Sequence, residues 1–391
     1  MTSVAFPQRS EEAWRYVDTA LLEAHPRKAN VPTNHYSSVQ TLPCSRVPGA
    51  ELLVIGGHAI QTHLSDWAQW AKALELSSWE ALSPSCQASV LASRKNSERD
   101  YFAAQLSEAI YLQMKPSAFI PKSPLQIVVL HGGSGSLSNA RVEIFTSPQS
   151  EAELVLCSAD DGSDVLANIE WSFHLAPASE LKVVTQHGGG SKSIYMGGVS
   201  ARLLRDSRFY LQCLAAPSPL VRHRLQMDLL EENGEVRLSG VGVLENSETL
   251  HHHVTVNHHA PHCRSQQLFK ASLNGKSRSS FDGTIEVDRG ANGTEAQQLN
   301  RFLMLSDEAR ASAKPQLKIY ADDVSCTHGA TTGQLEKEER FYLASRGLSE
   351  SVAEALLARG FIEDVLNHSP LPAVSELWRA EVFYPRFKLD S

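Results

Sequence analysis

Cys326 and His328 lie two residues apart in Asp323-Val-Ser-Cys-Thr-His-Gly329. Side chains alternate along an extended chain, so this spacing sets a thiol and an imidazole side by side on one face. That pair suits iron or sulfur handling, and it equally suits a structural contact. A second concentration spans residues 251–262. His251, His252, His253, His258, His259 and His262 are followed at once by Cys263. On a strand Leu250, His252, Val254 and Val256 share one face, and His251, His253, Thr255 and Asn257 share the other. Two histidines two apart on an exposed face can ligate a borderline metal. A polar outer face with one packed histidine gives the same pattern. The six cysteines (Cys44, Cys86, Cys157, Cys213, Cys263, Cys326) form no CxxC pair, so no zinc ribbon or ferredoxin-type site is encoded locally. Most are expected to be free, buried thiols.

Familiar catalytic signatures are missing. Gly275-Lys-Ser277 resembles the end of a phosphate loop, but Lys270 occupies the position of its first glycine and no helix follows. The segment reads as a turn. Gly132-Gly-Ser-Gly135 fails the nucleophile elbow because Ser136 replaces its last glycine.

Three zones must position these residues: 1–112, 113–333 and 334–391. The first is mixed, with helical spacing at 10–22, 64–74 and 98–112 and a strand-like run at 51–56. The second carries more than ten short apolar runs separated by Gly, Asn, Ser and Asp clusters, which means an all-β body. A sandwich, a barrel and a solenoid all fit. The uninterrupted length favours an irregular solenoid, with no strict short repeat. The third zone is helical: one helix is expected at 336–344, and a second begins at Ser349 as N-cap. Val352, Leu356, Leu357, Phe361 and Val365 form its apolar stripe.

The chain of 391 residues carries a net charge of −8 with its basic residues scattered, which offers no footprint for nucleic acid or an anionic membrane. Neither a secretory signal nor a bilayer-spanning run is legible, so a cytoplasmic protein is expected.

The segment KPQLKIYADDVSCTHGATTGQLEKEERFYLASRGLS (314–349) closely resembles the C-terminal signature of the SufB/SufD family of iron–sulfur cluster assembly proteins. FDGTIEVDRGANGTEAQQLNRFLMLSD (281–307) resembles the stretch before it, and Val256-Asn-His258 with Cys263, Ser265 and Lys270 resembles an upstream family element. Three features resemble the SufD branch: the short chain, the Glu-Ala-Trp-Arg-Tyr of 12–16, and the lack of a cysteine in 306–314.

The resemblance implies a mainly β fold, a right-handed parallel β-helix flanked by N- and C-terminal helical parts. It implies a non-catalytic scaffold that pairs through its β-helix with a SufB homologue. The ATPase SufC would dock on the C-terminal helices, in the region holding Phe341, Tyr342, Arg346, Gly347, Leu356 and Phe361. Iron or a transient iron–sulfur cluster would sit at the subunit interface, on His328 and Cys326, with His258 and Cys263 as secondary candidates. The alternatives are a SufB-like or homodimeric scaffold that holds the cluster itself, and a carbohydrate-active enzyme on a β-solenoid.

Overall fold

The computed structural model describes residues 6–29, 44–56, 59–61, 65–97, 100–106, 109–116, 121–160, 164–188 and 192–387. Its body is a parallel β-solenoid of about seven turns, each contributing one strand to each of two facing sheets. The first sheet ends with Leu220–Leu229, Thr249–His258, Arg278–Val287 and Arg310–Ile319. The second ends with Glu235–Leu244, Arg264–Leu273, Thr294–Met304 and Val324–Gly333. From Leu125–His131 onward, strands that follow one another in sequence lie in opposite sheets, and neighbours within a sheet run parallel. Aligned residues on successive turns are 26 to 32 positions apart, from Ile194 and Leu220 to Arg278 and Arg310.

Alternation decides which residues fill the space between the sheets. Trp171, Phe173, Leu225, Met227 and Val256 enter it from the first sheet, and Leu154, Val183, Phe209, Leu211 and Phe269 from the second. Burying a side chain of this size stabilises the fold by about 1.5–3 kcal/mol. Aromatic rings also stack from turn to turn. His223 lies 5.1 Å from His252, which lies 4.7 Å from Phe269, itself 5.1 Å from Phe281.

One corner repeats on successive turns. Gln149, Ala178, Asp206, Asn233 and His262 all adopt φ between 58° and 62°, and Gly293 takes 71°. Each donates its backbone N–H to a carbonyl of the next turn, at 3.0, 2.9, 3.0, 3.3, 2.8 and 2.7 Å respectively. The residue that follows is Ser150, Ser179, Ser207, Gly234, Cys263 or Thr294. The four hydroxyls among these bond back three residues, at 2.6 to 2.8 Å. A left-handed corner closed by a small side chain is the hidden repeat of this solenoid.

Both outer faces are covered. Trp14, Val17, Leu22 and Phe102 pack on Leu166, Ile194, Met196 and Leu220 of the first sheet. There the buried Arg222 meets Asp100 at 2.9 Å and the Trp14 ring at 4.0 Å. On the same face Arg224 bonds Glu170 across Gly198, where a Cβ would come within 1.8 Å of the Glu170 carboxylate. The C-terminal helices cover Val155, Val184, Leu214 and Val241 of the second sheet.

The first zone departs from expectation. The helix expected at 10–22 is a 3₁₀ turn, Glu12–Trp14, followed by a short helix, Thr19–Ala24, capped by Asp18. In place of a helix over 64–74, Trp70–Ala73 runs directly into a strand, Leu74–Ser77. Tyr101–Ala104 is one turn before the strand Ile110–Met114. Residues 64, 98–99 and 107–108 of those expected helices lie outside the described residues. Spacings of three and four in these segments come from tertiary packing on the sheet. The longest helix of this zone, Pro84–Ser97, was not expected. The expected strand is present as Glu51–Gly56 and pairs in parallel with Leu125–His131, so the sheets begin within the first zone. Gly275-Lys-Ser277 is a turn, with Gly275 at φ +63°.

Candidate functional site at the open end of the solenoid

The last turn differs from all those before it. Thr294–Met304 still alternates buried and exposed positions, whereas Arg310–Ile319 and Val324–Gly333 have no fully buried residue. These two strands end their sheets. Ile319 and Tyr320 remain 39% and 55% exposed beside them. The N- and C-terminal parts cover the flanks of the solenoid and leave this end without a cap among the described residues.

Cys326 and His328 stand on that final strand. Parallel register aligns Cys326 with Ala296 and His328 with Gln298 one turn below. Ala296 is fully buried, so both residues face the solenoid interior where it opens. Cys326 is half-buried against Ile285, Val287, Ala291 and Ala296. Burial pushes its thiol up, partly offset by the Ala296 backbone. His328 is exposed. Beneath it Gln298 donates to Gln267 at 3.0 Å. The Gln298 Oε1, Gln267 Nε2 and Asn300 Oδ1 atoms are buried with no partner among the described residues. The opening is therefore lined by polar groups with unused hydrogen-bonding capacity.

The donor types at this end are soft sulfur and borderline nitrogen, which fit iron or an iron–sulfur cluster. The set is too small to enclose one. No group of three or more His, Cys, Asp or Glu among the described residues could hold a metal ion. Further ligands must come from cargo, solvent or another chain.

His258 and Cys263 sit at the repeating corner. His258 is fully buried, shares a hydrogen bond of 2.9 Å with Ser265, and is lowered to about 4, chiefly by burial. Cys263 occupies the small-residue position of the left-handed turn and donates to the Glu231 carbonyl at 3.3 Å; burial pushes its thiol up to about 11. In the neighbouring histidine run, His252 points inward among apolar residues. His251 lies under the N-terminal part and shares a hydrogen bond of 2.6 Å with Ser280.

The region expected to dock a partner forms a helical hairpin. Its first helix, Lys337–Ser345, has no buried residue, and Phe341 and Tyr342 are 75% and 57% exposed. Arg346 stacks on the Tyr342 ring at 5.3 Å. Gly347, at φ +88°, ends this helix in a conformation that disfavours side chains. Ser349 caps the next helix, Glu350–Asn367, accepting from the Val352 N–H. That helix buries Ala355, Ala358, Ile362, Val365 and Leu366 against the sheet, so the expected stripe is only partly correct. The small alanines let the helix approach closely, and the rotation leaves Leu356 38% exposed. Phe361 is half-buried. Lys270 bonds its carbonyl at 3.1 Å and pairs with Asp364 at 2.8 Å, pinning the helix to the second sheet. Sequence reasoning missed this clamp because its partners are 91 residues apart. The segment after residue 371 packs down too: Trp378, Phe383 and Phe387 are buried, and Arg386 pairs with Glu248 at 2.5 Å.

Comparison with known proteins agrees with this architecture. The model of the SUF system FeS cluster assembly SufBD core domain matches residues 129–361. A Synechocystis iron–sulfur cluster assembly SufBD family protein is 33% identical over 207 residues, 53% of this chain and 46% of its own length. The Escherichia coli iron–sulfur cluster assembly protein SufD is 32% identical over 163 residues, 42% of this chain and 38% of its own. A Mycobacterium tuberculosis SufBD family protein is 27% identical over 267 residues, 66% of each chain. The chain thus spans about half or less of the first two relatives' length. No described helix is long and apolar enough to cross a membrane. With the family core matched across the solenoid and into the C-terminal hairpin, this chain belongs to the SufBD family of the SUF iron–sulfur cluster assembly system.

Proposed function

We propose that the chain is a SufD-like, non-catalytic scaffold subunit that assists iron acquisition and cluster assembly beside a SufB homologue and a SufC-type ATPase. The observation that carries this reading is the Cys326–His328 pair at an uncapped solenoid end, a ligand set that is incomplete within one chain. Unpaired backbone groups on the two terminal strands suit continuation of both sheets into a partner solenoid. Iron or a nascent cluster would then be cargo held between the two proteins. Exposed Phe341 and Tyr342, with Arg346 and Leu356, suit docking of the ATPase, since exposed aromatics and arginine dominate protein interfaces.

The test is co-purification with the SufB and SufC homologues of the same organism, repeated with His328→Ala. A three-protein complex that still assembles but loses bound iron supports the reading. A chain that binds neither partner refutes it. The same unpaired strands also favour a second reading, a SufB-like or homodimeric scaffold. Under that reading the isolated chain would be a dimer that takes up a cluster unaided.

A further inference from the structure

Far from the open end, two cysteine sulfurs that no role above uses are brought together. Cys157 lies on Glu151–Asp160 of the second sheet and is fully buried on its outer face. Cys44 lies 113 positions earlier and packs on the apolar cluster of Leu52, Val54, Val128, Leu130 and Ala159 that contains Cys157. Gln126 holds Cys44 in place. Its amide accepts from the Val47 N–H at 3.0 Å, donates to the Ser45 carbonyl at 3.0 Å, and reaches the Cys44 sulfur at 3.8 Å. Ser45 also bonds Glu381 of the C-terminal segment. Burial, then the adjoining Cys44 thiol, push the Cys157 thiol well above its ordinary value. Cys44 is half-buried, so it is the member that a small oxidant can reach.

We propose that Cys44 and Cys157 form a modification site: a dithiol that a small-molecule disulfide converts into an intramolecular disulfide. The Cys44 thiolate attacks one sulfur of the disulfide, breaking its S–S bond and releasing one thiol. The Cys157 thiol gives up its proton and attacks the Cys44 sulfur of the mixed disulfide, releasing the second thiol. Two protein thiols are oxidised, one small disulfide is reduced to two thiols, and the protons pass to the leaving sulfurs. The product staples the segment around Cys44 across the second sheet, beside the C-terminal helices.

The roles are unequal. Cys44 attacks because it is accessible. Cys157 resolves because it is buried in the same apolar cluster beside Cys44, out of reach of the small disulfide but in reach of the Cys44 sulfur. The inference does not rest on the proposed scaffold role.

The experiment treats the full reduced chain with oxidised glutathione, then denatures it and alkylates the remaining thiols. Peptide mapping should find Cys44 joined to Cys157, with neither of them alkylated. The chain's thermal midpoint should rise on oxidation. Cys44→Ser should leave Cys157 alkylatable under the same treatment, with no change in midpoint. Cys157→Ala should accumulate a glutathione adduct on Cys44. Cys86→Ser combined with Cys326→Ser, which removes the other half-buried cysteines, should leave the linkage intact. The proposal is overturned if all six thiols of the wild-type chain remain alkylatable, if the linkage joins another pair, or if the wild-type chain stops at the glutathione adduct.

Discussion

His328 and Cys326 share a face and a strand, yet the open end treats them differently. His328 is exposed, so His328→Ala should leave the unfolding free energy within about 0.5 kcal/mol of wild type. Cys326 packs into the last apolar cluster, and Cys326→Ser puts a hydroxyl where a thiol met Ala291 and Ala296. That variant should lose about 1 kcal/mol of stability. Chemical denaturation of both variants, run beside an iron assay of the assembled complex, separates the roles. If Cys326→Ser loses stability and keeps iron, the cysteine serves packing and His328 carries the metal. If His328→Ala unfolds at lower denaturant than Cys326→Ser, the assignment of burial at this end is wrong. The pairing of the two residues was legible from strand alternation alone. That they face the interior was not, because the facing depends on the register with Ala296 and Gln298, which lie 30 residues earlier.

Elements differ in how plainly they are written in the chain. Most strands from Leu125 onward are legible because Val, Ile, Leu and Phe runs alternate with turn residues. Sequence reasoning missed Ile194–Leu203, Arg264–Leu273 and Thr294–Met304, whose runs are broken by Gly, Gln, Ser and Asn. The repeating corner is not, since its left-handed position is filled by Gln149, Ala178, Asp206, Asn233 and His262, five residue types with one backbone conformation. Pro84–Ser97 escaped notice because Val90 and Leu91 are its only large aliphatic residues. Ala178 offers a direct check of the corner. A Cβ in the left-handed region costs about 1–2 kcal/mol, and glycine avoids it. Ala178→Gly should therefore stabilise the chain by about 1 kcal/mol in urea unfolding; a loss of that size would mean that the Ala178 side chain packs more than the corner strains. The helix Lys337–Ser345, proposed to dock the ATPase, is the opposite case, with none of it buried. Phe341→Ala together with Tyr342→Ala should leave the isolated chain's stability unchanged and weaken ATPase binding by at least tenfold, about 1.4 kcal/mol. Titration by calorimetry would show this, and unchanged affinity would remove the hairpin from the proposed interface.

Across the whole molecule, the interior histidines make stability depend on pH in one direction. Burial lowers His131, His187 and His258 to about 4 and His251 and His252 to about 3, against 6.5 when solvated. His223 also falls well below its ordinary value, through burial and its histidine neighbours. Below 6.5 the unfolded chain gains protons on these residues and the folded chain does not, so stability falls with pH until the folded values are reached. Each contributes a slope of about 1.4 kcal/mol per pH unit, and several together exceed a typical stability of about 5–15 kcal/mol within two units. His259 works in reverse. The Asp228 carboxylate 3.8 Å away, outweighing burial, and a hydrogen bond of 2.6 Å with Asp288 raise it to about 8. That contribution is complete below 6.5 and disappears as the pH rises through 8. Stability should therefore peak near neutrality, with a steep acid limb beginning below 6.5 and a shallow alkaline one. His252 is the residue to change, because neither ring nitrogen has a partner among the described residues and its ring already stacks on Phe269. His252→Phe extends the Phe269–Phe281 stack and removes one titrating group from the interior. Urea unfolding from about pH 5 to about pH 9 should show the variant at least as stable as wild type at neutrality. Its acid limb should be shallower by about 1.4 kcal/mol per pH unit. A variant that is less stable at neutral pH and equally steep in acid would mean that His252 is hydrogen-bonded and charged in the folded chain, and that the interior of the solenoid is wetter than its packing implies.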